Sequence, residues 1–158
     1  LPLTCFGQAG DRSLVNVIAH EIAHSWTGNL VTNSSWEHFW LNEGHTMYLE
    51  RLIMEKLHGT QMRHLLLAIG YAELIIVCED LGPKNPFSKL VPNLDGVDPD
   101  VSYNRIPYEK GSLFFVLLRA YVRQGKFLLT VHVCYLSDCI VMSINCQSVH
   151  NSFPREGW

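Results

Sequence analysis

The feature that most constrains this chain is the segment "HEIAH", which places His20 and His24 one helical turn apart with Glu21 between them. Residues four apart on a helix share a face, so both imidazoles can reach one ion while the glutamate lies beside them. Glu43 follows His24 with 18 residues between them, near a second predicted helix that can fold back against the first. Two imidazoles and one carboxylate leave a fourth position open on a tetrahedral zinc ion, as catalytic zinc sites do. The sequence therefore predicts one zinc ion per chain, held by His20, His24 and Glu43.

The alternative for the two histidines is an ordinary role as polar residues in a helical core, and Glu43 favours the metal site over it. Glu50 lies two turns beyond Glu43 on about the same helix face, where its carboxylate could accept the free N–H of a ligating histidine. An exposed surface charge is the alternative for Glu50, and the sequence does not separate the two. The remaining histidines on predicted helices have no ligand-like spacing and are expected to be surface or hydrogen-bonded polar residues: His38, His45, His58 and His64.

The periodicity of apolar residues predicts a mainly α fold with helices at residues 13–27, 34–59, 61–81 and 108–125. Ser13 is the expected N-cap of the first helix and Gly28 its stop. Ser34 and Glu37 fit a capping box for the second, in which one break is possible near Gly44. Thr60 is the expected cap of the third. The proline-rich stretch 82–107 predicts a long ordered loop, a type that in compact domains usually carries function.

Composition limits the partners and the compartment. The chain of 158 residues has 12 basic and 15 acidic side chains and no basic run, so nucleic acid is not an expected partner. Its 5 cysteines are odd in number and unevenly spread, which argues against a disulfide framework and for a cytoplasmic, reducing location. His132 and Asp138 interrupt the apolar run near the C-terminus, so no membrane span is expected there.

The segment "GDRSLVNVIAHEIAHSWTGNLVTNSSWEHFWLNEGHTMYLER", with "NPFSKL" and "GVDPDVSYNRIPYEKG" further on, resembles the gluzincin aminopeptidases, the membrane alanyl aminopeptidase family. The resemblance implies a thermolysin-like zinc-peptidase catalytic core over residues 1–123. It also implies an enzyme that hydrolyses N-terminal residues from peptides. The branch of the family that these segments match best adds the opening of a lipid epoxide as a second activity.

The same resemblance implies roles for individual residues. His20, His24 and Glu43 match the family's zinc ligands and Glu21 its general base. Tyr108, in "PYEKG", matches a tyrosine whose hydroxyl steadies the oxyanion, although nothing local marks it as more than a packing residue. Two residues of the proline-rich stretch match positions that line the substrate pocket: Asp100 and Tyr103.

The chain also departs from the family pattern. The Gly-x-Met-Glu-Asn segment that holds a substrate's amino group is absent, as are the family's flanking domains, which indicates a fragment or a truncated isoform. Residues 124–158 are expected to be a divergent tail, disordered or foreign to the family. A second metal site built from His132, Cys134, Cys139 and Cys146 is a weaker hypothesis, because their spacing fits no common zinc module. The alternative function is a catalytically silent zinc-binding isoform that acts structurally or through partner chains.

Overall fold

The computed structural model describes residues 14–82 and 84–123. Its α-helices are α1 (Val15–Ala23), α2 (Phe39–His58), α3 (Thr60–Leu81) and α4 (Ile106–Arg123), with short 3-10 turns at Trp36–His38, Pro86–Ser88 and Pro99–Ser102. Within these two ranges the β-structure is limited to an isolated bridge between Thr27 and Val31. The prediction of a mainly α fold is confirmed. In the described part of the chain, no helix combines the length and the apolar character that a membrane crossing requires.

Helix α2 is the centre of the fold, since it packs against α1, α3 and, most extensively, α4. Its buried positions recur at three- and four-residue steps, as expected for one helix face. They are Trp40, Glu43, Gly44, Thr46, Met47, Glu50, Arg51 and Met54. Many of these side chains are polar or charged, and burial of such groups requires partners. The buried face of α2 therefore contributes to a polar site as well as to the apolar core.

The crossing of α2 and α4 depends on two glycines. A Cβ atom on Gly44 would lie 2.6 Å from the Cα of Gly111, and one on Gly111 would lie 2.9 Å from the Cα of Gly44. The two backbones are thus in direct contact, which only glycine permits. No break occurs at Gly44, where the sequence left one possible, because α2 is continuous there. Gly44 allows α2 and α4 to approach each other closely, and it does not kink α2.

The apolar core lies between α3 and α4 and beneath the loop that joins them. One cluster comprises Leu74, Cys78, Ile106 and Leu113, and a second comprises Trp40, Leu90 and Phe114. Leu90 holds the proline-rich loop to α2 and α4, and Glu37 adds a polar tether by accepting a hydrogen bond from the Leu94 N–H at 2.9 Å. The loop is ordered against the helices, as the sequence predicts.

The first two helix boundaries differ from the sequence-based ones. Helix α1 starts after Leu14, while Ser13 lies outside the described residues. It ends at Ala23 and not at residue 27, because the chain turns after His24 and Gly28 adopts a φ of 139° in that turn. The capping box at Ser34 was wrong: the Ser35 side chain accepts the Glu37 N–H at 3.3 Å and starts a 3-10 turn before α2.

The starts of α3 and α4 also differ from the predicted ones. Gly59 precedes α3, so Thr60 is its first residue and not its cap. Helix α4 begins at Ile106, two residues earlier than the sequence suggested, and the Asn104 side chain accepts the Ile106 N–H at 2.8 Å. Pro107 is accommodated because a proline's missing N–H costs nothing in the first turn. The predicted tail and the cysteine–histidine hypothesis concern residues 124–158, which lie outside the described ranges.

Candidate metal centre

The side chains of His20, His24 and Glu43 converge where α1 packs on α2. Their ligand atoms all lie within 4.8 Å of one another. The Glu43 Oε2 atom is 3.1 Å from His20 Nε2 and 3.3 Å from His24 Nε2. Donor atoms around a tetrahedral zinc ion are about 3.4 Å apart, given bonds of about 2.0–2.1 Å. The three side chains can therefore hold a metal ion of that size with little movement.

Each histidine is oriented by its second nitrogen. His20 Nδ1 donates to Glu50 Oε2 at 3.1 Å, and His24 Nδ1 donates to the Thr27 carbonyl at 2.9 Å. These bonds fix the tautomers and leave both Nε2 atoms facing Glu43. Glu50 is only 5% exposed, so the alternative of a surface charge does not apply to it.

The turn after α1 encloses His24, a feature that the sequence analysis missed. The buried hydroxyl of Thr46 donates to the Asn42 carbonyl at 2.7 Å and lies 3.2 Å from His24 Nδ1. The Thr46 and Thr27 hydroxyls are 2.6 Å apart. A Cβ atom on Gly28 would lie 2.9 Å from His24 Nδ1. Thr46 follows Glu43 by three residues on the same helix face, and that spacing was the available signal.

The two carboxylates decide the charge of His20 in the metal-free chain. Burial by itself lowers the pKa of His20, but hydrogen bonds to Glu43 and Glu50, and their negative charges, outweigh it and raise the pKa to about 9. His20 is therefore protonated at neutral pH when no metal is bound. A metal ion must displace the proton on Nε2, so metal binding releases protons.

Tyr108 lies in the first turn of α4 and reaches the same region. Its ring stacks on that of His20 with centroids 6.4 Å apart, and its hydroxyl is 2.8 Å from the hydroxyl of Tyr103. Burial, the hydrogen bond with Tyr103 and the charge of Glu43 all raise the pKa of Tyr108. The phenol stays neutral and can donate a hydrogen bond at any physiological pH.

A cavity of about 350 Å³ is lined by both predicted residues, Asp100 and Tyr103, and Tyr103 connects it to Tyr108 through their hydroxyls. Most of the other lining side chains are apolar: Trp36, Phe39, Trp40, Phe87, Leu90, Pro92, Pro99 and Pro107. The Phe39 ring contacts both tyrosines, with centroids 6.1 Å from Tyr103 and 6.0 Å from Tyr108. Glu21 is exposed on α1 directly after His20.

The remaining histidines are outside the ligand cluster found in residues 14–82 and 84–123. His45 stacks on Phe115 with centroids 4.3 Å apart, and burial lowers its pKa. His58 and His64 are exposed and His38 is partly buried. Cys78 is buried in the apolar core, and the other four cysteines lie outside the described residues.

Comparison with known proteins finds one family and several relatives that match this chain. The model of a family described as "Peptidase family M1 domain" matches residues 6–156. Leucine aminopeptidase 2 of Neosartorya fischeri is 54% identical over 117 residues, which cover 74% of this chain and 19% of that protein. Leukotriene A-4 hydrolase of Xenopus laevis is 56% identical over 110 residues, which cover 69% of this chain and 18% of that protein.

Solved structures give the same result for the fold. The native leukotriene A4 hydrolase of Saccharomyces cerevisiae superposes with a TM-score of 0.67 at 38% identity, covering 94% of this chain and 28% of that one. The yeast enzyme in complex with bestatin gives a TM-score of 0.66 at 38% identity, with the same coverage. The chain spans about a fifth of the length of the curated relatives.

Proposed function

The chain belongs to peptidase family M1, and we propose that it is the metal-binding core of a zinc aminopeptidase that hydrolyses N-terminal residues from peptides. The observation that carries this proposal is the convergence of two oriented imidazoles and one carboxylate within 4.8 Å. Three such ligands leave a coordination position for water or substrate, whereas structural zinc sites are closed by four protein ligands.

Zinc is the proposed ion because neutral imidazole and carboxylate suit it and because the two Glu43–histidine distances, 3.1 Å and 3.3 Å, are close to the donor separation around zinc. When bound, zinc supplies a Lewis acid that polarises a carbonyl and lowers the pKa of water. The protein's contribution is to hold the ligands. Glu50 and the Thr27 carbonyl keep both histidines in the tautomer that presents Nε2.

Two side chains are proposed to take part directly in the reaction, Glu21 by proton transfer and Tyr108 by hydrogen bonding. Glu21 takes a proton from the attacking water and later returns it to the leaving amine, which is general base and then general acid catalysis. Its position directly after His20 and its exposure support this role. Tyr108 donates a hydrogen bond to the oxygen that gains negative charge in the transition state. Its neutral hydroxyl and its stacking on His20 support that role.

The substrate class follows from the relatives' names and from the cavity. Relatives named leucine aminopeptidase 2 support short peptides as substrates, and the apolar lining of the cavity of about 350 Å³ suits an apolar side chain. A cytosolic location is part of the proposal, and the odd number and uneven spread of the 5 cysteines support a reducing environment. Peptides are thus the proposed partners, with no role for nucleic acid or membrane.

A second candidate substrate is a lipid epoxide. Relatives named leukotriene A-4 hydrolase support it, as do the aromatic walls of the cavity beside Tyr103. In this reaction the carboxylate of Asp100 is proposed to lie beside the substrate, since it lines the same cavity and is exposed. Conversion of leukotriene A4 to a dihydroxy acid by the purified chain, lost in Asp100→Asn, would support it. Equal conversion by both forms would refute the role of Asp100.

The general base is tested with Glu21→Gln in the purified chain. We expect this variant to keep its zinc and to lose at least about 100-fold in turnover of an aminoacyl anilide, since general base catalysis contributes about that much. Glu79→Gln, an exposed carboxylate on α3, is the control and should match the unmodified chain. Unchanged turnover in Glu21→Gln would reject the assignment. Stoichiometric zinc without any hydrolysis by the unmodified chain would favour the silent isoform.

A further inference from the structure

A buried ion pair joins α2 to α4 beside the candidate site. Arg51 is 3% exposed and Glu109 is 1% exposed. The Arg51 guanidinium donates from Nη2 to Glu109 Oε2 at 2.6 Å and from Nη1 to the Ser112 hydroxyl at 2.7 Å. Both acceptors belong to the first two turns of α4, so one rigid planar group holds two successive points on that helix.

Helix α3 packs against this ion pair at Gly70. A Cβ atom on Gly70 would overlap both the Glu109 carboxylate and the Arg51 guanidinium. The pair therefore lies directly against the α3 backbone, where water is excluded. Arg105 approaches the other carboxylate oxygen, with Nη2 3.6 Å from Glu109 Oε1. Three helices thus meet at one enclosed charge pair.

The sequence positions of the pair connect it to the site. On α2, Arg51 directly follows Glu50, whose carboxylate orients His20. On α4, Glu109 directly follows Tyr108, whose ring stacks on His20. We propose that Arg51 and Glu109 are positioning residues for the reaction. They fix the rotation of the first turn of α4 and so hold the Tyr108 ring against His20 and its hydroxyl beside that of Tyr103. This inference rests on the proposed function of Tyr108.

Because a tyrosine side chain is long, a small rotation of α4 displaces the Tyr108 hydroxyl by a large distance. This hydroxyl lies about 9 Å from the helix axis, so a rotation of α4 by about 10° moves it by about 1.5 Å. A displacement of about 1 Å at a reacting centre can reduce the rate about 100-fold. Apolar contacts have no preferred direction and resist such rotation poorly, whereas the guanidinium bonds depend strongly on angle.

The first test measures the position of Tyr108 without any reaction. The chain is labelled with 3-fluorotyrosine, and Tyr108→Phe assigns the fluorine NMR signal of Tyr108. The test variant is the double substitution Arg51→Met with Glu109→Leu, because replacing a buried ion pair by apolar residues of similar size usually preserves the fold. We expect the Tyr108 signal to shift or broaden together with that of Tyr103, whose hydroxyl is 2.8 Å from the Tyr108 hydroxyl, while the signal of the exposed Tyr121 at the other end of α4 stays in place.

The matched control removes another ion pair between α2 and α3. Arg63 Nε is 3.3 Å from Glu55 Oε2, and the double substitution Arg63→Met with Glu55→Leu should leave the Tyr108 signal unchanged. A Tyr108 signal that is identical in the Arg51/Glu109 variant and the unmodified chain would overturn the inference. A signal that shifts in a chain with no peptidase activity would support the inference and count against the proposed function alone.

The second test is a double-mutant cycle on turnover with Tyr108→Phe. If the pair acts through the Tyr108 hydroxyl, the Arg51/Glu109 variant should lower kcat by about 10- to 100-fold, with little change in KM and with zinc retained. In the Tyr108→Phe background the same variant should cost less than about twofold, because the group that it positions is gone. Equal losses in both backgrounds would show a general structural role and overturn the inference.

Discussion

His20 is the residue whose charge should change most on metal binding. In the metal-free chain Glu43 and Glu50 raise its pKa from 6.5 to about 9. Because the folded-state pKa lies above the unfolded value, the protonated His20 stabilises the metal-free fold fully below about pH 6.5, and this contribution is lost as the pH rises through about 9.

The corresponding prediction is a pH-dependent melting temperature. With a chelator present, the Tm of the unmodified chain should fall between pH 6.5 and 9.5 by more than that of His20→Gln, which lacks the titrating group. Thermal unfolding followed by circular dichroism measures both curves. Parallel curves for the two proteins would contradict the assigned origin of the shift.

Glu50 offers a prediction about affinity. Glu50→Gln keeps the size of the side chain but replaces the carboxylate that accepts from His20 Nδ1 at 3.1 Å. Loss of such a partner typically lowers metal affinity about 10- to 100-fold. Competition for zinc with a chelator of known affinity measures the change, with Glu79→Gln as the control. An affinity equal to that of the unmodified chain would mean that Glu50 does not support the ligand.

For individual residues, the sequence predicted the functional side chains whose spacing follows a known metal-binding pattern. The spacing of His20, His24 and Glu43 predicts residues that the structure does bring together. Arg51 was missed, although it falls on the buried stripe of α2 with Trp40 and Met47. Its partner Glu109 is 58 residues away, and a single sequence contains no information about which distant charge meets a buried arginine.

At the level of elements, the contact between α2 and α4 sets the distance between the metal ligands and Tyr108. Gly44 directly follows Glu43, and Gly111 lies one turn after Tyr108. The Gly44 Cβ position is 2.6 Å from a backbone atom of α4, which cannot move aside as a side chain can. The helices must therefore separate if either glycine gains a side chain.

We predict that Gly44→Ala destabilises the fold by about 1–3 kcal/mol, the usual range for overpacking. Urea unfolding at constant pH measures the free energy of unfolding. Ala72→Ser, at an exposed position of α3, is the control and should change it by less than about 0.5 kcal/mol. A Gly44→Ala variant as stable as the control would show that the α2–α4 contact is not tight.

Helix interiors were predicted better than helix ends, for a physical reason. Apolar periodicity reports which face is buried, and it located α1 to α4. The ends depend on contacts that periodicity does not contain. Helix α1 stops where the Thr27 carbonyl turns back to accept from His24, and α4 starts early because Asn104 accepts the Ile106 N–H.

The described part of the molecule exposes many large apolar side chains. Leu30 is 74% exposed, Val31 71% and Trp26 56%. These residues line a broad depression together with Ile22, Leu41 and Phe115. Contiguous apolar surface of this kind favours association.

We therefore predict that the 158-residue chain self-associates when purified by itself. Substituting Leu30→Lys and Val31→Glu should increase the monomer fraction, because charges replace two of the most exposed apolar side chains. Size-exclusion chromatography with light scattering measures the mass. A chain that is monomeric before substitution would contradict this expectation.

The position of Tyr108 in the folded molecule could not be predicted from the periodicity of the sequence. Resemblance to a family singled it out, but periodicity alone gives it a packing role. Its distance from His20 results from the glycine contact, the Arg51–Glu109 pair and the tethered loop acting together. Such an arrangement is a property of the assembled helices and not of any one of them.

The central claim is that His20, His24 and Glu43 form one zinc site, and metal titration of the purified chain tests it most directly. Cobalt can replace zinc and reports its coordination through visible absorption. We predict saturation at one ion per chain, a spectrum of tetrahedral type, and loss of binding in His24→Ala. Failure to bind near one ion per chain, or unchanged binding in His24→Ala, would contradict the account.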